Sequence, residues 1–377
     1  MKIPLSSPDI TESDIEAVVS VLRTPELSLG PKLPEFEKAL AAYVDVPHGV
    51  ALSSGTAGLH LGLQALGIGE GDEVILPSFT FIAAANAVLY RRAIPVFADI
   101  DPLTLNVNPD SIERAITPQS RAIIVVHTFG YPADLDPILK LARKHKLRVI
   151  EDACEAIGAE YGGRKVGSFG DLGVFSFYPN KPITTGEGGV LVTRDETLAR
   201  TIRALRNQGR GENDGWLDHS LLGYNYRLPE MSCALGLSQL RRIESVLARR
   251  EAVANRYCET LEACPDITAP PMEAVNGRIC WFAFVVRLSA RFTKGDRDGV
   301  AQYLTDRGIG CRPYFSPIHL QPLYSAYANA RNNLPVTEHV ASRTLALPFF
   351  NALTDGEVKQ VCFVLGEAMQ SVMGCRA

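Results

Sequence analysis

The chain has 377 residues, of which 46% are hydrophobic and 21% are charged, and its formal net charge is -4. This length predicts two domains or one large domain with an appendage, and the composition is that of an ordinary folded protein. The acidic balance, without a basic block, disfavours nonspecific nucleic-acid binding, and the apolar runs are too short to span a membrane.

The eight cysteines are scattered along the chain without a Cys-x-x-Cys pair. We therefore expect buried free thiols and no metal site. The N-terminal residues lack the apolar stretch of a signal peptide. Together these features predict a cytoplasmic protein.

The first predicted elements are helices. Residues 11–24 begin with Thr11 and Asp14 in a pattern that resembles a capping box. The next segment is predicted to be a helix with one apolar face, formed by Leu33, Phe36, Leu40 and Tyr43. A short strand over residues 49–52 then leads into a helix that runs to about Leu66.

Apolar strands then alternate with helices as far as residue 193. Helices are predicted over residues 81–90 and 134–145. The predicted strands cover residues 73–77, 94–98, 122–127, 148–151, 174–178 and 190–193. Such alternation predicts an α/β fold with a mostly parallel central sheet that is covered on both faces.

The last third of the chain changes in character. A long helix is predicted from Glu230 to about Leu261, and Pro270-Pro271 follows it. A smaller α/β unit then contains a strand over residues 281–288 and helices over residues 297–307 and 355–369. We therefore predict a large domain over residues 1–250, with an N-terminal helical segment, and a small C-terminal domain over residues 251–377.

The turn Ser53-Ser-Gly-Thr-Ala-Gly58 joins a predicted strand to a helix start. Free backbone N–H groups and the helix dipole favour a phosphate at such a place, although an ordinary N-cap turn explains the pattern equally well. No Gly-x-Gly-x-x-Gly or Gly-x-x-x-x-Gly-Lys-Ser/Thr motif occurs, so dinucleotide and nucleoside-triphosphate sites have little support.

Polar and aromatic residues follow two other strand ends. Glu151 and Asp152 end an apolar strand, where open α/β sheets place ligand groups, and Glu155 comes three residues later. A carboxylate there can pair with a protonated pyridine nitrogen or simply cap the next segment. Phe79 and Phe81 follow an earlier strand, and either ring can stack on a planar ligand or pack in the core.

Lys181 directly follows a strand-like run and precedes a glycine-rich loop. A desolvated lysine amine is nucleophilic and suits Schiff-base chemistry, whereas a lone loop lysine is usually solvated. Asn225 is either a loop cap or a donor to a phosphate. The segment 312–324, which contains Tyr314 and His319, is either a substrate-facing loop or a connector stiffened by proline.

The order of these groups is more informative than any one of them. An anion turn, an aromatic ring, a strand-terminal aspartate, a serine on a strand and a lysine are the groups that pyridoxal phosphate (PLP) requires. They supply a phosphate site, a ring stack, a partner for the pyridine nitrogen and a Schiff-base amine.

The sequence resembles the DegT/DnrJ/EryC1/StrS family of sugar aminotransferases over nearly its whole length. This family has the fold-type I (aspartate aminotransferase-like) architecture of PLP-dependent transferases. The motifs that carry the likeness include Leu29-Gly-Pro31, Ser53-Ser-Gly-Thr56, Pro77-Ser-Phe-Thr-Phe81, Glu151-Asp-Ala-Cys-Glu155, Asn180-Lys181, Thr185-Gly-Glu-Gly-Gly189 and Gly223-Tyr-Asn-Tyr-Arg227.

The resemblance implies a role for each cofactor-binding residue in the large domain. Lys181 would form the Schiff base with PLP and shuttle the proton, and Asp152 would pair with the pyridine nitrogen. Phe81 would stack on the ring, and Glu155 would lie near the phenolic oxygen. The phosphate would be held by Gly55, Thr56 and Ser176.

The resemblance also implies partners. Asn225 would reach the phosphate of a partner subunit, which makes the active unit a homodimer with shared active sites. Tyr314 and His319 would face the sugar. The substrates would be an amino-acid donor, L-glutamate by family likeness, and a nucleotide-linked keto-sugar.

Two stretches resemble the perosamine-synthase branch of the family: residues 160–170 and residues 180–189. This likeness implies amination at C4 of a GDP-4-keto-6-deoxy sugar, with Pro182 as a modest departure. Two alternatives remain. A dehydratase of the same fold would carry histidine in place of Lys181, and a non-catalytic regulator that binds PLP or a nucleotide sugar would not need a lysine there.

Overall fold

The structure is a computed structural model that describes residues 2–211, 214–215, 218–327 and 333–374. The helices are α1 (Glu12–Leu22), α2 (Lys32–Val44), α3 (Gly55–Ala65), α4 (Ala83–Tyr90), α5 (Pro109–Ala115), α6 (Leu135–His145), α7 (Glu196–Arg206), α8 (Glu230–Arg241), α9 (Ile243–Leu261), α10 (Lys294–Asp306), α11 (Pro335–Ala341) and α12 (Asp355–Gly374). The strands are β1 (His48–Leu52), β2 (Glu73–Pro77), β3 (Ile94–Ala98), β4 (Ser120–Val126), β5 (Arg148–Asp152), β6 (Glu160–Tyr161), β7 (Arg164–Lys165), β8 (Leu172–Ser176), β9 (Gly189–Thr193), β10 (Ile267–Thr268), β11 (Gly277–Arg278), β12 (Phe284–Leu288) and β13 (Thr344–Leu347).

A seven-stranded sheet forms the centre of the molecule, in the order β1-β9-β8-β5-β4-β2-β3. The neighbours from β8 to β3 pair in parallel. Strand β9 runs antiparallel to both of its neighbours, β1 and β8. The predicted α/β fold with a mostly parallel sheet is confirmed.

The two faces of the central sheet bury different sets of apolar side chains. On β2, Ile75 belongs to one core, whereas Val74 and Leu76 belong to the other. Strand side chains alternate between faces, so a strand that is buried on both sides must be apolar at every position. This explains why the strands read as continuous apolar runs.

A second, smaller sheet of three antiparallel strands, in the order β10-β12-β13, carries its own core together with α9, α10 and α12. Residue Ile3 belongs to this core, where its N–H donates to Gly308 O at 2.9 Å and its carbonyl accepts from Gly310 N at 2.8 Å. Further along the same segment, Phe349 N donates to Leu5 O at 2.8 Å. The division into domains at residues 1–250 and 251–377 stays a prediction.

The prediction of a single helix from Glu230 to about Leu261 is wrong. The helix is interrupted at Arg242, which separates α8 from α9. This residue has φ -112° and ψ 15°. Its guanidinium binds Asp9 at 3.0 Å and Asp14 at 2.8 Å. These partners lie more than two hundred residues away in the chain, and a local apolar pattern carries no sign of them.

In the part of the chain that the structure describes, no helix combines the length and apolar character needed to cross a lipid bilayer. The same residues contain no cluster of three or more histidine, cysteine, aspartate or glutamate side chains that could hold a metal ion.

Candidate active site

A cavity of about 620 Å³ opens where the strands of the central sheet end. The carboxyl ends of parallel strands meet at one edge, so residues that follow β1, β2, β5 and β8 converge there. Its volume lies in the range of small-molecule and cofactor sites. Of the ten residues to which the resemblance assigns a role, eight line it: Gly55, Thr56, Phe81, Asp152, Glu155, Ser176, Lys181 and Tyr314.

The N-terminus of α3 forms one end of the cavity. Ser54 is the N-cap, and its hydroxyl accepts a hydrogen bond from Ala57 N at 3.0 Å. The preceding N–H groups of the first turn have no acceptor within the helix, so together with the helix dipole they favour an anion. The predicted anion turn therefore does more than cap a helix, because it faces a cavity.

Gly55 allows this helix start to approach its neighbours closely. A Cβ at Gly55 would lie 2.8 Å from Cys154 Sγ and 2.9 Å from Ser176 Cβ, and real Cβ atoms do not make contacts this short. Glycine thus lets α3, the end of β8 and the turn after β5 meet around one point. A hydroxyl from Ser176 and backbone donors from α3 can then reach the same phosphate.

Lys181 lies in a tight turn after β8, where its N–H donates to Tyr178 O at 2.9 Å. Its side chain is only 11% exposed, and Nζ lies 3.6 Å from Glu155 Oε1. A buried amine beside a carboxylate at the wall of a cavity differs from a solvated loop lysine. Its position suits an amine that forms a covalent bond with a carbonyl.

Glu155 is held from two sides. Its Oε2 accepts a hydrogen bond from Phe129 N at 2.9 Å, while Oε1 faces Lys181. Burial raises the pKa of Glu155, and the neighbouring Lys181 ammonium only partly opposes this effect. The raised pKa makes Glu155 easier to protonate than an exposed glutamate.

Asp152 and Glu151 end β5 and point to different partners. Asp152 lines the cavity, and its Oδ1 accepts a hydrogen bond from Cys154 N at 3.1 Å. Glu151 is wholly buried. Its carboxylate accepts hydrogen bonds from His127 Nε2 at 3.1 Å and Gly167 N at 2.7 Å. Glu151 therefore fixes the backbone behind Asp152 and leaves the Asp152 carboxylate free to face a ligand.

Aromatic side chains cover the walls of the cavity. Phe81 is 62% exposed, as expected of a ring available for stacking, whereas Phe79 is wholly buried in the core. In the segment 312–324, the ring of Tyr314 stacks on that of Phe129, with ring centroids 6.2 Å apart. Of the two candidate rings after β2, only Phe81 can therefore contact a cofactor.

Two predicted site residues do not line the cavity. Asn225 is exposed on the single chain. His319 is buried, with Nδ1 2.6 Å from Ser78 Oγ and Nε2 3.3 Å from Glu338 Oε1. Both ring nitrogens of His319 thus have partners within the chain. The expected sugar contact of His319 has no support in this geometry and stays a prediction.

Other residues of the cavity were given no role in the sequence analysis. Asn180 and Glu187 flank Lys181 in the same loop, and nearness to Lys181 is a signal that could have identified them. Phe282 lies a hundred residues further along the chain, and its ring centroid is 4.0 Å from Lys181 Nζ. No sequence pattern marks this contact, because only tertiary structure creates it.

The residues present fit a phosphorylated pyridine aldehyde. The cavity is lined by the start of α3 with its N–H groups, by the hydroxyls of Thr56 and Ser176, and by an exposed ring, a carboxylate and an amine. The close approach that Gly55 permits brings the phosphate donors together. Such a donor set matches the phosphate, ring, nitrogen and aldehyde of PLP in turn.

Comparison with known proteins agrees with the interpretation of the cavity as a PLP site. The model of the DegT/DnrJ/EryC1/StrS aminotransferase family matches residues 8–365. The chain is 41% identical over 369 residues to GDP-perosamine synthase of Caulobacter vibrioides, a match that covers 98% of both proteins.

Solved structures share the fold over nearly the full chain. The aminotransferase TlmJ of Streptoalloteichus hindustanus superposes with a TM-score of 0.92 at 34% identity, covering 99% of this chain and 100% of TlmJ. Spr1654 of Streptococcus pneumoniae in its PLP form superposes with a TM-score of 0.93 at 28% identity, covering 99% of this chain and 100% of that one.

Proposed function

The chain belongs to the DegT/DnrJ/EryC1/StrS aminotransferase family and is a PLP-dependent sugar aminotransferase, and from this premise we propose that it moves an amino group from L-glutamate to C4 of GDP-4-keto-6-deoxymannose. The product would be GDP-perosamine. The observation that carries the proposal is the convergence of Lys181, Asp152 and the start of α3 on one cavity. The substrate assignment is supported by the 41% identity to a GDP-perosamine synthase.

In this proposal the residues of the cavity divide the work of holding PLP. The N-terminus of α3 and Ser176 bind the phosphate, Phe81 stacks on the ring, Asp152 pairs with the ring nitrogen, and Lys181 is the covalent anchor. When bound, PLP supplies a carbonyl that reacts with amines and a ring that withdraws electrons from the reacting carbon.

Lys181 would perform the proton transfer once its amine is free. Its Nζ would take a proton from the substrate carbon that bears the amino group and return it, on the same face, to the carbon on the other side of that nitrogen. One amine can serve both positions because they are close together. Glu155, 3.6 Å from Nζ, stabilises the ammonium that exists between the two transfers.

We further propose a homodimer with shared active sites. In the single chain large apolar side chains such as Leu222 (85%) are exposed. A second copy would cover such surfaces. Asn225, exposed in the single chain, would then bind the phosphate in the partner's cavity.

Replacement of Lys181 tests the chemistry. Lys181→Ala should abolish the absorbance band of the covalently bound cofactor and lower the transfer rate by at least about three orders of magnitude. The control Lys359→Ala removes an exposed lysine of α12 and should behave as the wild type. A wild-type protein that shows no such band after addition of PLP would refute the proposal.

A substrate panel tests the specificity. Keto-sugar nucleotides with GDP, UDP or dTDP are mixed with L-glutamate, and release of 2-oxoglutarate is followed. We expect the highest kcat/KM for the GDP-linked 4-keto-6-deoxy sugar. A deoxygenated product without glutamate consumption would indicate a dehydratase, and tight binding without transfer from any donor would indicate a regulator.

A further inference from the structure

The ring of Phe282 faces the amine of Lys181. The ring centroid lies 4.0 Å from Nζ, and the Phe282 side chain is buried with 5% exposure. Phe282 directly precedes the short segment that leads into β12 of the C-terminal sheet, whereas Lys181 follows β8 of the central sheet. The amine that anchors the cofactor is therefore bounded on one side by a residue from the distant part of the chain.

The contacts around Lys181 form a ring of residues that begins and ends at its Nζ atom. Glu155 Oε1 lies 3.6 Å from Nζ, and Oε2 of the same carboxylate accepts from Phe129 N at 2.9 Å. The Phe129 carbonyl in turn accepts from Phe282 N at 3.3 Å. The Phe282 ring returns to Nζ. The backbone of Phe129 thus holds both groups that face the Lys181 ammonium, the Glu155 carboxylate and the Phe282 ring.

The backbone of Phe282 is clamped from behind by Arg250. This arginine is buried in α9, where its Nε donates to Trp281 O at 2.5 Å and its Nη2 donates to Phe282 O at 2.7 Å. In front, Cys280 N donates to Gly130 O at 2.9 Å. A Cβ at Gly130 would lie 1.6 Å from Cys280 O, so only glycine permits this approach.

We propose that Phe282 is a positioning residue for the aminotransferase reaction, which holds the protonated amine of Lys181 over its ring face while that amine is free of the cofactor. The inference rests on the proposed function, because only a lysine that is released and protonated during turnover needs such a site. While the lysine is covalently bound, the contact has no ammonium to stabilise.

A ring face is suited to this task. An aromatic ring attracts a cation through its quadrupole but accepts no proton, so it stabilises the ammonium without competing for the proton that must be returned. Glu155 alone would draw the ammonium towards one carboxylate oxygen. The ring supplies attraction from a second direction and keeps Nζ pointing into the cavity.

The first test measures the amine without turnover. In the cofactor-free full-length chain, acetylation of Lys181 is measured across a range of pH by mass spectrometry. Phe282→Leu should shift the labelling midpoint of Lys181 to lower pH by about half a unit, because the ammonium loses the ring. Phe282→Tyr keeps a ring face and should leave the midpoint unchanged.

The matched control is Phe292→Leu. Phe292 is 3% exposed in the C-terminal core and lies near the Arg291 guanidinium, but it does not line the cavity. It should leave the Lys181 midpoint unchanged. Other ionisable groups of the site are the same in all four proteins: Asp152, Cys154, Glu155, Tyr178, Glu187, Cys280 and Tyr314. An unchanged midpoint in Phe282→Leu, or an equal shift in Phe292→Leu, would overturn the inference.

The second test uses the PLP-loaded enzyme. Phe282→Leu should lower kcat for transfer by about three- to tenfold while KM and cofactor affinity stay within about twofold of the wild type. Phe282→Tyr should restore kcat. A loss confined to KM or to cofactor affinity would contradict a role at the free amine. If the wild type transfers no amino group, the proposed function fails, whereas the labelling shift would still report the contact itself.

Discussion

At the scale of single residues, the adjacent carboxylates of Glu151 and Asp152 at the end of β5 have different roles in the structure. Asp152 faces the cavity, whereas Glu151 is wholly buried behind it. Burial alone would raise the pKa of Glu151, but hydrogen bonds from His127 and from the backbone of Gly167 and Gly170 hold that pKa below its ordinary value of 4.5. The native state therefore favours the charged form.

This shift has a definite sign for stability. A carboxylate whose pKa is lower in the folded state stabilises the fold at pH values above the unfolded pKa, and this contribution is lost as the pH falls through the folded pKa. Glu151→Gln should therefore lower the free energy of unfolding by about 2–4 kcal/mol at pH 7. The difference from the wild type should shrink below about pH 4.5.

Urea unfolding at pH 7 and at acidic pH measures the Glu151 effect. The control Glu35→Gln removes an exposed carboxylate that pairs with Lys32, and its effect should stay within about 0.5 kcal/mol. Equal stability of Glu151→Gln and wild type at pH 7 would show that the side chain at this site does not need its charge. Its four hydrogen bonds come from His127, Gly167, Phe169 and Gly170.

A position just after a strand predicts which residues line the cavity. Lys181 and Asp152 could be predicted because each follows an apolar run, and polar groups there meet at one sheet edge. Phe282 and Arg250 could not, because each resembles an ordinary core or helix residue. Their neighbours, Lys181 and the carbonyl groups of residues 281 and 282, are set only by the folded chain.

At the scale of elements, α9 is joined to the segment before β12 through Arg250. Besides the carbonyls of Trp281 and Phe282, the guanidinium binds Asn351 Oδ1 at 3.1 Å. Burial lowers the pKa of Arg250 to about 10, so the side chain is still charged at pH 7. This residue therefore holds two distant segments of the C-terminal part against one helix.

Removal of the Arg250 donors has a predictable cost. Arg250→Met keeps the apolar stem but leaves buried carbonyls without partners, and we expect a loss of about 3 kcal/mol in the free energy of unfolding. The control Arg200→Met changes an exposed arginine of α7 and should have little effect. Thermal and urea unfolding measure both. Unchanged stability of Arg250→Met would mean that water replaces the lost donors.

Helices and strands could be predicted from the sequence where their apolar pattern is long and periodic. They could not be predicted where tertiary contacts determine whether an element forms or ends. The capping box and apolar face gave α1 and α2 within a few residues. The break at Arg242 depends on Asp9 and Asp14, and the two-residue strands β6, β7 and β11 exist only because they pair with one another. Such short strands have no period of their own.

At the scale of the whole molecule, the proposed homodimer makes each active site a joint product of two chains. Lys181 would come from one subunit and Asn225 from the other. Either Lys181→Ala or Asn225→Ala should then inactivate or weaken both sites of its own homodimer. A hybrid of the two variants would contain one site with neither substitution.

Subunit mixing measures this arrangement. After random reassortment of equal amounts of Lys181→Ala and Asn225→Ala, about a quarter of wild-type activity should return, because half of the dimers are hybrids with one intact site each. Lys181→Ala mixed with Lys181→Ala/Asn225→Ala is the control and should stay inactive. No recovery in the first mixture, despite demonstrated exchange, would place Asn225 in the cavity of its own chain or outside the site.

The position of Ile3 in the C-terminal core has a consequence for synthesis of the protein. Its hydrogen-bond partners, Gly308 and Gly310, are translated some three hundred residues later. The partner of Leu5, Phe349, is translated later still. Because a ribosome makes the chain from its N-terminus, residues 3–5 remain unpaired while the central sheet is completed. A nascent chain that stalls before residue 308 therefore keeps this apolar segment exposed, and a chaperone or a protease can recognise it.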